Sequence, residues 1–191
     1  MTLIKEDGTG RPDANSYADA GDGDAYHDGH LYATAWTGAS AGDKEKALVM
    51  ATRLIDSLCQ FIGERAHDEQ ALQWPRTGDI SRWFPGSGLP LPVVAGELWS
   101  ADGWLPTDAV PKGIMNAACE MARELLLRDR TAPVPGEGIA VVTTGAGLTY
   151  SSTKYSKTDA PQIITPVAKA MLQKYGSVMG GRGGMVKVMR S

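Results

Sequence analysis

Apolar residues recur at helical spacing in two long stretches of this chain. In the first, Ala47, Leu48, Ala51, Leu54, Ile55 and Leu58 fall at i, i+3, i+4 and i+7, with Ser40 or Asp43 placed to cap the start and a stop expected near Phe61-Ile62-Gly63. In the second, Ile114, Ala117, Ala118, Met121, Leu125 and Leu126 form the stripe. That helix is expected to begin near Asp108, with Pro111 in its first turn, and to end before Pro133 and Pro135; Glu124 and Arg128 are spaced to pair on its outer side. A weaker helix is predicted from Ser16 or Asp19 to about Thr34, with Tyr17, Ala20, Ala25, Tyr26 and Leu31 as its contacts. Gly21, Gly23 and Gly29 each cost it about 1 kcal/mol against alanine, so packing must hold it.

After residue 135 the period changes from helical to alternating. Residues 139–144 and 148–155, joined by Gly145-Ala146-Gly147, predict a β-hairpin. A short helix over 161–174 follows, with Ile164, Val167, Ala168, Met171 and Leu172 inward. The expected fold is mainly α: a small helical bundle with a hairpin before the last helix and an extended C-terminal tail. One domain, residues 1–175, would carry a long aromatic loop (77–111) and the hairpin (139–155); residues 176–191 form the glycine-rich tail. Trp83, Phe84, Trp99 and Trp104 in that loop either cover the domain's own core or mark a partner surface. The tail ends Met185-Val186-Lys187-Val188-Met189-Arg190, an alternation suited to joining a neighbour's sheet.

Charge adds a direction to this layout. The 191 residues carry a net −3, but residues 1–70 hold 13 acidic and 6 basic side chains, and residues 131–191 hold 2 acidic and 7 basic. Such a chain suits head-to-tail association more than coating DNA, where phosphate neutralisation needs a clear positive excess. No apolar run is long enough to span a bilayer, and the acidic start does not read as a signal peptide, so synthesis in the cytoplasm is expected. Cys59 and Cys119 each fall among apolar neighbours on an expected helix and read as buried core thiols.

Candidate chemistry is sparse. Asp19, Asp22, Asp24 and Asp28 cluster with His27 and His30, but the spacing lacks the later ligands of a calcium loop, and a solvated polar face explains it better than a metal site. His67-Asp68-Glu69 has no nucleophile elbow to serve, and the glycine-rich segments lack a phosphate loop's Lys-Ser/Thr. No enzyme, cofactor or metal is expected. For single-stranded DNA, Trp74-Pro75-Arg76 and Arg82-Trp83-Phe84 are the tight aromatic–arginine pairings. Trp74 reads better as a core anchor, with Arg76 reaching a carboxylate.

Several motifs, in order, carry a family resemblance. They are Glu6-Asp7-Gly8-Thr9-Gly10 with Ala14-Asn15-Ser16-Tyr17; Asp24-Ala25-Tyr26; Gly63-Glu64-Arg65 with Gln70-Ala71-Leu72-Gln73-Trp74-Pro75-Arg76-Thr77; and Leu105-Pro106-Thr107-Asp108-Ala109-Val110-Pro111. The chain resembles the head–tail adaptors (connectors) of phage necks, many of which are labelled DnaT-like single-stranded-DNA-binding proteins. Residues 80–103 depart from the family pattern as an insertion, so Trp83, Phe84 and Trp99 read as a surface for a particular partner.

The adaptor resemblance implies a dodecameric ring in the virion neck, assembled in the host cytoplasm. Its partners would be itself, the portal protein and a tail-completion or stopper protein, with genomic double-stranded DNA passing through the lumen. Under it, Glu64, Arg65, Gln73, Trp74, Pro75 and Arg76 are structural. Arg182, Met185, Val186, Lys187, Val188, Met189 and Arg190 meet the portal or a neighbouring subunit, and Lys154 and Lys157 face DNA. The DnaT-like label implies instead a positive, aromatic groove for single strands.

Overall fold

The computed structural model describes residues 2–78, 107–132, 141–146, 149–154 and 162–179, with 141–146 and 149–154 described by backbone alone. Helices dominate it. They are α1 (Ala20–Asp28), α2 (Thr34–Thr37), α3 (Ala41–Leu58), α4 (Lys112–Leu127) and α5 (Pro166–Leu172). Six short strands pair as three antiparallel ladders: β1 (Cys59–Phe61) with β6 (Gly176–Val178), β2 (Glu64–Arg65) with β3 (Arg76–Thr77), and β4 (Val141–Ala146) with β5 (Thr149–Lys154).

The first predicted helix is shorter than its sequence suggests. Asp19 accepts from the Asp22 N–H, the Asp22 carboxylate accepts from the Asp19 N–H, and this capping box starts α1. Gly29 ends it, and the chain turns through Leu31 and Tyr32 before α2. Packing holds α1 where propensity does not. Gly23 lies so close to Trp36 that a Cβ there would stand 2.2 Å from the indole Cζ2.

Ser40 caps α3, whose Ala47, Leu48, Ala51 and Ile55 are buried. This helix stops at Leu58, earlier than its periodicity implies. Cys59 is extended and pairs with Val178, and Phe61 pairs with Gly176. Cross-strand pairing with the C-terminal segment thus overrides helix propensity at Cys59-Gln60-Phe61, so Cys59 lies on a strand. The first three residues assigned to the tail therefore complete a sheet within the body.

The central element is α4, packed against α1, α2, α3 and α5. Its cap residue is Pro111, and Ile114, Ala117, Ala118, Cys119, Met121 and Ala122 are buried. It ends at Leu127 rather than at the prolines, because Arg128 is already extended. Thr165 caps α5 and Pro166 occupies its first turn; Ala168 and Leu172 are buried, whereas Val167, expected inward, is half exposed. The hairpin register runs from Val141↔Lys154 to Ala146↔Thr149, so Gly145 and Ala146, expected in the joining turn, are strand residues. No helix among the described residues is long and apolar enough to cross a membrane.

Candidate interaction surfaces

The segments around Glu6, Tyr17, Trp74 and Asp108 meet in one corner of the molecule, where Glu6, Tyr17, Gln70, Trp74 and Arg76 are buried. Glu6 is buried, and its carboxylate accepts the N–H groups of Gly8, Gly10 and Arg11, each at 2.9 Å. Gly8 and Gly10 have φ of +100° and +74°, conformations that favour glycine. Added Cβ atoms would stand 2.1 Å from the Asp108 carbonyl oxygen and 2.2 Å from the His67 ring. The Glu6–Gly10 turn is therefore wedged between the entry to α4 and the corner that follows β2.

Trp74 is fully buried, edge-on to Phe61 and Tyr175 at 5.8 and 5.9 Å, and its bond to Pro75 is cis. Gln70, also buried, donates to the carbonyls of Leu72 and Pro75 and accepts from the His67 N–H. Among the described residues, Arg76 reaches no carboxylate. It donates to the main-chain carbonyls of Ile62, Gly63 and Gln73 and to the Gln73 side chain, because the β2–β3 corner leaves those oxygens without strand partners. Glu64 and Arg65 are exposed on β2, and the Arg65 guanidinium donates to the Gln70 carbonyl.

Asp56 joins this corner to α3. The Tyr17 hydroxyl and the Gln73 N–H donate to its two oxygens, and Trp74 N–H donates to the Tyr17 oxygen at 3.3 Å. Burial pushes the Asp56 carboxyl up to about 6, outweighing these donors and the positive charge of Arg76. A carboxyl with a raised folded-state pKa makes the native state bind the extra proton. Its contribution to stability therefore grows as pH falls through 6 and shrinks as pH rises. Between pH 7.5 and 5 this amounts to about 1 kcal/mol. Urea titrations across that range should show the gain, and Asp56→Asn should flatten it.

Three acids of the cluster, Asp19, Asp22 and Asp24, are already committed. Asp19 and Asp22 cap the helix and meet Lys5, and Asp24 accepts from the Trp36 indole N–H and from Lys44. His27 is buried against Trp36, its Nε2 3.2 Å from the Cys119 carbonyl oxygen, and burial holds its pKa below the ordinary value. His30 lies 3.9 Å from Glu120. Among the described residues, no group of three or more His, Cys, Asp or Glu is placed to hold a metal ion.

A charged chain crosses the outer side of α4. Glu120 is almost fully buried and accepts from Arg123, which also donates to Glu124 and to the Tyr32 carbonyl. Glu124 continues to Arg130, which donates to the carbonyls of Gln162 and Ile163. The expected Glu124–Arg128 pair gives way to these partners, because Arg128 has left the helix.

Five large apolar side chains are exposed among the described residues. Leu31 and Tyr32 are 83% and 72% exposed on the α1–α2 turn; Leu127, Val167 and Met179 are half exposed or more. Lys154 lies on β5 opposite Val141. Trp83, Phe84, Trp99, Trp104, Lys157, Arg182, Met185, Val186, Lys187, Val188, Met189 and Arg190 lie outside the described residues. Sequence reasoning missed Glu6, Asp56 and Glu120. For Glu6 a signal exists, an acid followed by Gly-Thr-Gly, whose main-chain N–H groups can wrap it; for Asp56 and Glu120 the partners are too distant in sequence to be read.

A family model described as "Putative DnaT-like ssDNA binding protein" matches residues 1–191. No curated protein and no solved structure matches the chain.

Proposed function

The chain belongs to the DnaT-like ssDNA-binding family over its whole length, and we propose that it works as a structural head–tail adaptor of a tailed phage rather than through a strand-binding groove. In this reading copies form a ring between portal and tail, bound by portal above and a tail-completion protein below, and the genome passes through the lumen. One observation carries the choice. The aromatic–arginine motif that would stack bases is consumed inside the fold: Trp74 is fully buried, and Arg76, also buried, donates to the main-chain carbonyls of Ile62, Gly63 and Gln73 and to the Gln73 side chain.

Tyr32, the strongly exposed aromatic among the described residues, stands four residues from exposed Asp28, an unfavourable setting for a polyanion. The hairpin supports the same reading. Strands β4 and β5 pair with each other alone among the described residues, and an isolated two-stranded hairpin is marginal in water. A ring neighbour or portal surface supplies what it lacks.

The family description favours a second reading, single-strand binding, and one experiment separates the two. Deleting residues 180–191 keeps β6, so the subunit stays folded, and under the adaptor reading copurification with portal protein is lost. Full-length protein should form rings, alone or on portal, by light scattering and electron microscopy. A monomer that ignores portal and binds oligonucleotides with steep salt dependence would establish the rival instead.

A further inference from the structure

Exposed apolar side chains taken singly need no explanation, but the Leu31–Tyr32 turn is both apolar and fixed. The His30 N–H donates to the His27 carbonyl, the Tyr32 N–H donates to His30 Nδ1, and Arg123 on α4 donates to the Tyr32 carbonyl. Beside this knob lies a hollow. An open groove of about 650 Å³ is lined from α2, α3 and α4 by Ala35, Ala39, Ala47, Met50, Leu125 and Leu126. The small alanines leave room, and Met50 and the leucines supply apolar wall. Two ties place the turn at the groove's rim. Thr34, two residues after Tyr32, also lines the groove, and Arg123, which holds the Tyr32 carbonyl, lies two residues before Leu125. Chain length alone keeps the Tyr32 and Thr34 Cα atoms within about 7 Å.

Charges of opposite sign flank the two features. Exposed Asp28 precedes the knob, and exposed Arg53 and Arg128 follow Met50 and Leu125 by three residues each. None of these three makes an ion pair among the described residues. Asp43 and Lys46, also in the lining, neutralise each other, and Asp129 accepts from Thr131.

We propose that the Leu31–Tyr32 turn of one copy seats in the α2–α3–α4 groove of a second copy, whose own turn seats in the groove of the first. The reciprocity follows from the spacing. Knob and groove adjoin, so a partner that fills the groove also covers the knob, and one partner must serve both. A second copy carries a knob and a groove in matching positions, and two-fold pairing engages all four at once. It also counts every contact twice, which brings a small patch toward the area a stable pair needs. Asp28 faces the arginines across the rim, where opposite charge fixes orientation, while the apolar centre supplies affinity. Such a pair is closed and extends no further. It is a property of the free protein, goes beyond the adaptor reading and does not depend on it.

Disulfide trapping tests it, because the native thiols are silent: Cys59 and Cys119 are buried, and burial pushes both up to about 12. An equal mixture of Tyr32→Cys and Met50→Cys chains should give a covalent dimer of one each under mild oxidation. The Tyr32→Cys/Met50→Cys chain should stop at the dimer, since both bonds close within one pair. A ladder of larger multimers overturns the two-fold arrangement, and failure of the mixture to cross-link overturns the contact. The Leu31→Ser/Tyr32→Ser chain, altered only at exposed positions, should keep its melting temperature while its dimer dissociation constant rises roughly a hundredfold by sedimentation. A wild-type chain that is monomeric at every concentration sinks the pairing. So does a serine variant that pairs like wild type, and if that variant also stops copurifying with portal protein, the surface belongs to portal instead. None of these outcomes removes the adaptor reading, which is judged on rings and portal binding.

Discussion

Trp74→Ala should lower unfolding free energy by about 3–5 kcal/mol, measured as a fall in the urea midpoint. The indole is fully buried where β1, the chain after α5 and the β2–β3 corner meet, with Phe61 and Tyr175 edge-on to it. Removing it deletes one of the two largest buried side chains and leaves a cavity lined by Phe61, held in the β1–β6 ladder, and Tyr175, whose carbonyl accepts the Ile62 N–H. Such walls relax poorly, so the cost falls in the upper part of the range for large-to-alanine changes. A small domain has about 5–15 kcal/mol in all, so the variant should be partly unfolded at moderate temperature. Trp74→Phe keeps the ring contacts and should cost much less. If oligonucleotide binding were lost with Trp74→Ala while the melting temperature held, Trp74 would have a role beyond packing.

A comparable loss is expected from Glu6→Ala, about 3 kcal/mol or more. The carboxylate accepts three main-chain N–H groups, two of them buried. Each buried donor left unpaired costs about 1–3 kcal/mol. The damage should not stay local, because the turn is wedged against the entry to α4 and against His67. Hydrogen exchange should therefore rise at residues 8–11 and also at the start of α4. Glu6→Gln keeps an acceptor but offers an amide group to donors, and is expected to recover only part of the loss.

How far the sequence reveals this molecule depends on how local each feature is. The spacing of Leu48, Ala51 and Ile55, and of Ile114, Ala117 and Met121, locates the two main helices because each stripe is buried in the core. Asp19 and Ser40 locate helix starts because capping is a matter of three residues, whereas the last helix, expected from 161, begins only at Pro166. Ends are harder. Cys59 leaves α3 because residues more than a hundred positions away offer it a strand, and nothing near Cys59 encodes that. Val167 sits at an apolar spacing yet faces solvent, since α5 is too short to bury more than Ala168 and Leu172. The candidate surfaces follow the same rule. The Trp74 corner is visible as a motif, while the exposure of Leu31 and Tyr32 depends on where α1 happens to stop.

The pairing of β6 with β1 sets a geometric limit on anything the last residues touch. Val178 is registered opposite Cys59, and the Met179 N–H donates to the Leu58 carbonyl, so Met179 is fixed at the C-terminal end of α3. Residues 180–191 beyond that anchor can span at most about 40 Å when fully extended. Whatever the tail grips must lie inside a sphere of that radius about Met179.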